Sequence, residues 1–144
     1  FATIIARGLG LPQKSVANFK DVTANDWFYN YVGTAYNYGI IKGVSESEFN
    51  PNGTITREEA AVMVTRAAKL CGMDTEMGTL AVRDSLAQFI DYVKASDWSQ
   101  SSLAFCFSEG ILDDSVMDIK PKESVTRAEI ASMLYNMLLS ANLL

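Results

Sequence analysis

Two short stretches of this 144-residue chain put an arginine where a helix should begin: Thr56-Arg57-Glu58-Glu59 and Thr126-Arg127-Ala128-Glu129. A threonine followed three residues later by a glutamate has the spacing of a capping box, in which each side chain satisfies the other residue's backbone N–H. Thr56 with Glu59, and Thr126 with Glu129, are therefore the expected helix caps. The arginine then falls at the first helical position. There the macrodipole disfavours a cation, by roughly 0.3–1 kcal/mol at an exposed end. A bound anion would offset that cost. The helix end adds unpaired N–H groups and partial positive charge, and a guanidinium adds a bidentate fork for a carboxylate. Anion recognition is the chemistry that Arg57 and Arg127 can do. The plainer alternative is a pair of exposed charges reaching away from the helix ends, and recurrence in the same context argues against it.

Other chemistries are poorly supplied. The chain has no histidine, hence neither the commonest general base nor the commonest metal ligand. Only carboxylate pairs remain as acid–base candidates, and no spacing brings two of them together, so neither an enzyme nor a cofactor is expected. Cys71 and Cys106 are too few for a zinc site or a disulfide framework. They read as small buried thiols, with a bridge between them as the alternative. A net charge of −5 without any Lys/Arg cluster argues against nucleic acid. No apolar run reaches the length of a membrane span. With 49% hydrophobic and 20% charged residues, the composition is that of a folded globular chain rather than a disordered one. The chain opens on Phe1 without an initiator methionine, as a piece of a longer protein would.

The elements that must position the arginines come in copies. Phe19-Lys20-Asp21-Val22 leading to Trp27 returns as Phe89-Ile90-Asp91-Tyr92 leading to Trp98. Gly39-Ile40-Ile41 returns as Gly110-Ile111-Leu112, and Phe49-Asn50-Pro51 as Ile119-Lys120-Pro121. The period is about 70 residues, long enough for a helical unit plus a connection. After each box, apolar or small residues follow helical spacing: Ala60, Met63, Val64, Ala67 and Ala68, then Ile130, Met133, Leu134, Met137 and Leu138. Phe1, Ile4, Ile5, Gly8 and Leu9 have the same spacing, so Phe1 stands where the residue after a box would stand.

Each unit thus reads as two helices. Asp26 and Asp97 are the N-cap candidates of the first helix, and Gly39 and Gly110 its stops, free to take positive φ. Pro51 and Pro121 are expected to fix an extended approach to each box. Residues 82–88 suggest a short extra helix in the connection. Strand signal is weak and the fold class is all-α. The Met and aromatic stripes are core. Trp27 and Trp98 read first as core residues with an edge to offer, and Asp21 and Asp91 as turn or capping residues.

These ordered motifs resemble the S-layer homology family, whose pattern runs F-x-D-V, W, G-I-I-x-G, F-x-P and T-R-A-E. Phe19, Asp21, Val22, Trp27, Gly39, Ile40, Ile41, Gly43, Phe49, Pro51, Thr56, Arg57 and Glu59 match it. Residues 89–139 match with gaps. The resemblance divides the chain into the closing helix of a truncated first repeat (1–16), a repeat (17–72), a connection (73–88) and another repeat (89–144).

It also implies a helical repeat module in a pseudo-threefold arrangement, with ligand grooves between repeats. The implied function is non-covalent anchoring of a secreted protein to bacterial cell-wall polysaccharide, through an acidic, pyruvylated sugar. The implied location is extracellular, in the cell wall or S-layer of a Gram-positive bacterium. Arg57 and Arg127 would contact the acid, with Asp21, Trp27, Gly39 and Gly43 from one repeat and Asp91, Trp98 and Gly110 from the other shaping the grooves. Three departures qualify this. In the third unit the acidic residues Asp113 and Asp114 replace the second glycine of G-I-I-x-G, and like charge there would repel an acidic sugar. Glu58 replaces the alanine of T-R-A-E and is a candidate ion-pair partner for Arg57. The first unit lacks its box. The alternative function is therefore a structural or assembly module with degenerate sugar sites, which associates with protein or homo-oligomerises to complete the truncated repeat.

Overall fold

The computed structural model describes residues 1–12, 19–43 and 47–143. Among them the only regular elements are helical: α1 (Ala2–Gly8), α2 (Tyr29–Asn37), α3 (Arg57–Leu70), α4 (Thr79–Leu86), a 3-10 turn (Tyr92–Lys94), α5 (Asp97–Ser108) and α6 (Arg127–Ser140). The chain folds as two compact units, residues 1–53 and 54–144. The all-α expectation holds.

In the first unit α1 packs on α2. The face of α1 that is buried is Ala2, Ile5 and Ala6. Ile4 and Phe1 are only partly covered and Gly8 is exposed, so the face is rotated by a residue from the expected stripe. Small side chains explain the rotation: Ala2 and Ala6 meet a helix that buries Gly33 and Ala35, which lets the backbones approach closely. Helix α2 starts at Tyr29, later than Asp26 predicts. Asp26 instead accepts the Thr23 N–H at 2.8 Å, forming a turn that carries Trp27 ahead of the helix. Gly39 ends α2 with a φ of +74°, as its composition requires.

In the second unit α3 packs most extensively on α5 and also on α6, and α4 packs on α5. Ala60, Ala61, Val64, Ala67 and Ala68 are wholly buried, and the Cys106 sulfur of α5 lies against the Ala61 carbonyl on this strip of small side chains. Both cysteines are free thiols; Cys106 is buried and Cys71 partly so, which replaces the expectation of two buried ones. Each large buried side chain here, such as Leu103, Ile119 or Met137, contributes about 1.5–3 kcal/mol. Ser96, not Asp97, is the N-cap of α5. Gly110 closes that helix with a φ of +72°. The connection forms α4, which begins at Thr79, earlier than expected.

The paired F-x-D and x-P stretches form one local device, used once in each unit. Asp21 accepts the N–H groups of Phe49 (2.8 Å) and Asn50 (2.7 Å). Asp91 does the same for Ile119 (2.7 Å) and Lys120 (2.8 Å). These aspartates clamp a loop 28 or 29 residues downstream, rather than the local turn or helix cap expected of them. The clamp also explains a departure from expectation. The residues before the prolines are not extended: Asn50 has φ +60° and Lys120 φ +52°. That left-handed backbone is unfavourable for a non-glycine residue, and two charge-assisted hydrogen bonds hold it in place.

Candidate functional site

Within the second unit, the approaches to the two boxes lie antiparallel, with an isolated bridge between Thr56 and Ser124. The Val125 N–H donates to the Ile55 carbonyl (3.0 Å), Arg57 N–H to Glu123 (2.8 Å) and Glu58 N–H to Pro121 (3.0 Å). The Glu59 N–H goes to the Thr56 hydroxyl (3.3 Å). The first N–H groups of α3 are therefore all committed, and the expected open helix end is absent there. What Arg57 offers is its side chain alone. At α6 the Glu129 N–H is capped by Thr126 (3.1 Å). The N–H groups of Arg127 and Ala128 have no partner among the described residues.

The Arg57 side chain reaches a cleft of about 290 Å³. One wall is the chain leaving α5, with Ile111, Leu112, Asp113, Val116, Asp118, Ile119 and Lys120; the other is α6, with Glu129, Ser132, Met133 and Asn136, and Phe107 also contributes. Gly110 permits the turn into the first wall, Asp91 pins Ile119 and Lys120, and Asn136 ties the walls together through the Ile111 carbonyl (3.3 Å). The volume is at the small end for ligand clefts. Arg57 is only partly open to solvent. It is ion-paired with Glu129, and its side chain is 18% exposed. Asp113, Asp118 and Glu129 line the cleft together with Arg57 and Lys120, so acidic residues outnumber basic ones three to two. The Ser115 N–H holds the Asp113 carboxyl below the ordinary range, so this wall is charged at neutral pH.

Glu58 does not pair with Arg57. It is 2% exposed and points to the start of α5. It accepts the Ser96 N–H (2.8 Å), the Ser96 hydroxyl (2.9 Å) and the Ser99 hydroxyl (2.9 Å), and pairs with Lys122 at 2.6 Å. Burial pushes this carboxyl upward, but Lys122, the Ser96 N–H and the two hydroxyls together bring it below the ordinary value. This network was missed from sequence. Its only signal was the glutamate in place of alanine after Arg57.

Residues 18–61, from the Phe19 motif into α3, match the model of the S-layer homology domain. The chain belongs to the S-layer homology family. It is 31% identical to the surface-layer 125 kDa protein of Lysinibacillus sphaericus, over 90% of this chain and 10% of that one. It is also 31% identical to the amylopullulanase of Thermoanaerobacterium thermosulfurigenes (96% and 7%) and to exoglucanase XynX of Acetivibrio thermocellus (99% and 13%). The chain thus spans about a tenth of the length of these relatives. A domain of this family is a binding module for the cell wall, and S-layer homology places this chain at the bacterial cell surface, in the wall or S-layer.

Seen as an S-layer homology domain, the chain separates its motif residues by job. Asp21 and Asp91 spend both carboxylate oxygens on the loop clamps. Gly39 and Gly110 serve the helix ends, and Gly43 is partly buried in the loop after α2. Trp27 is 74% and Trp98 59% exposed, which overturns the expectation that they are core. Arg127 is exposed and has no side-chain partner among the described residues. Within the second unit the cleft gathers Arg57 and the wall that Asp91 and Gly110 position, while Trp98 and Arg127 are not among its lining residues. Thr56 and Glu59 form the full capping box, whereas only the threonine half of the Thr126/Glu129 box is made.

Proposed function

We propose that this chain anchors the protein it belongs to by binding wall polysaccharide, and that Arg127 makes the principal contact with an acidic, pyruvylated sugar. The contrast between the two arginines carries this. Arg57 is largely covered and ion-paired, whereas Arg127 is exposed beside two uncommitted N–H groups at the start of a 14-residue helix. A guanidinium with a helix N-terminus suits a carboxylate. Trp27 and Trp98, exposed at equivalent positions, supply flat apolar faces for sugar rings. In this scheme 17–72 and 89–144 are repeats, 1–16 is the closing helix of another, and grooves between repeats in a pseudo-threefold module hold the glycan. The test is retention on purified wall polysaccharide before and after chemical removal of pyruvyl groups, with Arg57→Ala and Arg127→Ala compared. Retention unaffected by loss of both arginines and of the pyruvyl groups would overturn it.

The acid-lined cleft favours a second reading for that part of the molecule: a degenerate sugar site in a module that associates with protein, itself included. Light scattering decides. A monomer at high concentration that still binds glycan argues against association.

A further inference from the structure

The same glutamate ends both boxes, and the structure gives it two different jobs. Glu59 turns back on its own helix end: its Oε1 accepts the Thr56 N–H at 3.0 Å and the Thr56 hydroxyl at 2.9 Å. Glu129 does not. The Thr126 hydroxyl reaches its Oε1 only at 3.4 Å, and its Oε2 is held by the Arg57 guanidinium. One glutamate completes a cap, and the other leaves its cap half-made to neutralise an arginine in a cleft.

The geometry points to Glu129 as the specificity residue of the Arg57 cleft, occupying the guanidinium so that an uncharged sugar is admitted in preference to an acidic one. This rests on the glycan-binding function proposed above and assigns the ligand class of one of its sites. A ligand carboxylate reaching Arg57 would have to share or displace Glu129 on the guanidinium, exchanging or weakening an ion pair already made. It would also bring a further negative charge beside Asp113 and Asp118. Repulsion of the wrong ligand is how a polar site discriminates. A neutral sugar meets neither penalty. Its hydroxyls can donate to Asp113, Asp118 and Glu129, and Phe107 and Met133 offer apolar surface to its C–H face.

The test uses the full chain and two soluble probes, followed by NMR at the Ile111 and Lys120 amides and at the Arg57 Nε–Hε. In the wild type, a neutral methyl hexoside should shift the cleft amides and sodium pyruvate, a bare carboxylate, should leave Arg57 unmoved. In Glu129→Gln, which keeps the shape and removes the charge, pyruvate should bind Arg57 about tenfold more tightly. The gain should vanish in the Glu129→Gln/Arg57→Ala double variant, read at the same cleft amides. Polymer bearing its acid should follow the same order, and polymer stripped of it should not distinguish Glu129→Gln from wild type. Wild-type Arg57 responding to pyruvate as strongly as the variant overturns the assignment. So does a wild-type cleft that ignores the neutral probe, a result that needs no variant to fold. Loss of those responses with polysaccharide retention intact would refute the role of Glu129 alone; loss of retention would refute the anchoring function.

Discussion

The Glu58 carboxylate on α3 accepts the main-chain N–H of Ser96 at the N-cap of α5, so one helix supplies the cap of another. The local sequence of α5 offers no side-chain cap hydrogen bond. Glu58→Ala should therefore leave the Ser96 N–H without its acceptor and remove the carboxylate that Ser99 and Lys122 share. A loss of about 2–4 kcal/mol is expected from chemical denaturation, with a smaller loss for Glu58→Gln.

The same carboxylate predicts a pH dependence. Its pKa in the folded chain lies below the ordinary 4.5 because Lys122 and the hydrogen bonds from Ser96 and Ser99 outweigh the upward push of burial. The unfolded chain then binds the proton more readily than the folded one, so the contribution is complete above about pH 4.5 and is lost as pH falls through the folded value. Thermal midpoints should drop on acidification below that point. Glu58→Gln should flatten part of the slope, and Asp21, lowered by the N–H groups of Phe49 and Asn50, should account for more of it.

Asp91 holds a left-handed Lys120 at the cleft wall. Asp91→Ala should cost about 2 kcal/mol and speed hydrogen exchange at the Ile119 and Lys120 amides well before that of α3. Asp21→Ala should produce the same local signature at Phe49 and Asn50.

The two arginines should separate in binding. Arg127→Ala is expected to weaken retention on acid-bearing polysaccharide by about tenfold, and Arg57→Ala by less than about threefold, as measured by titration on purified polymer.

The thiols should separate too. Burial pushes the Cys106 thiol up to about 12, and its sulfur lies against the Ala61 carbonyl and the Thr65 hydroxyl. Burial raises Cys71 as well, but that residue is only partly covered. Iodoacetamide on the native chain should label Cys71 first, and Cys106 only on unfolding.

Period and composition carry far in this chain, but not everywhere equally. The stripes Ala60–Ala68 and Ile130–Met137 announce their helices because burial on one face enforces the 3.6-residue repeat. Gly39 and Gly110 announce the stops because few other residues accept that φ. The starts of α2 and α5 were less legible. An aspartate beside a tryptophan looks like a cap, yet the acceptor for Ser96 comes from 38 residues away. The cleft followed the same rule. Arg57, Asp91 and Gly110 were visible as candidates. That Arg57 would be silenced by a glutamate 72 residues on, rather than by its neighbour Glu58, is a matter of tertiary placement that no local spacing encodes.

The long helix that follows the first complete box finds its main packing partner in α5, beyond the connection, and the chain divides into compact units between Gly53 and Thr54. The repeat written in the sequence and the body that folds are thus half a period out of step. A duplicated or excised segment that ends with α3 would part that helix from α5 and α6, its packing partners within the second unit. One cut before Thr54 would keep that helix with the partners that cover it.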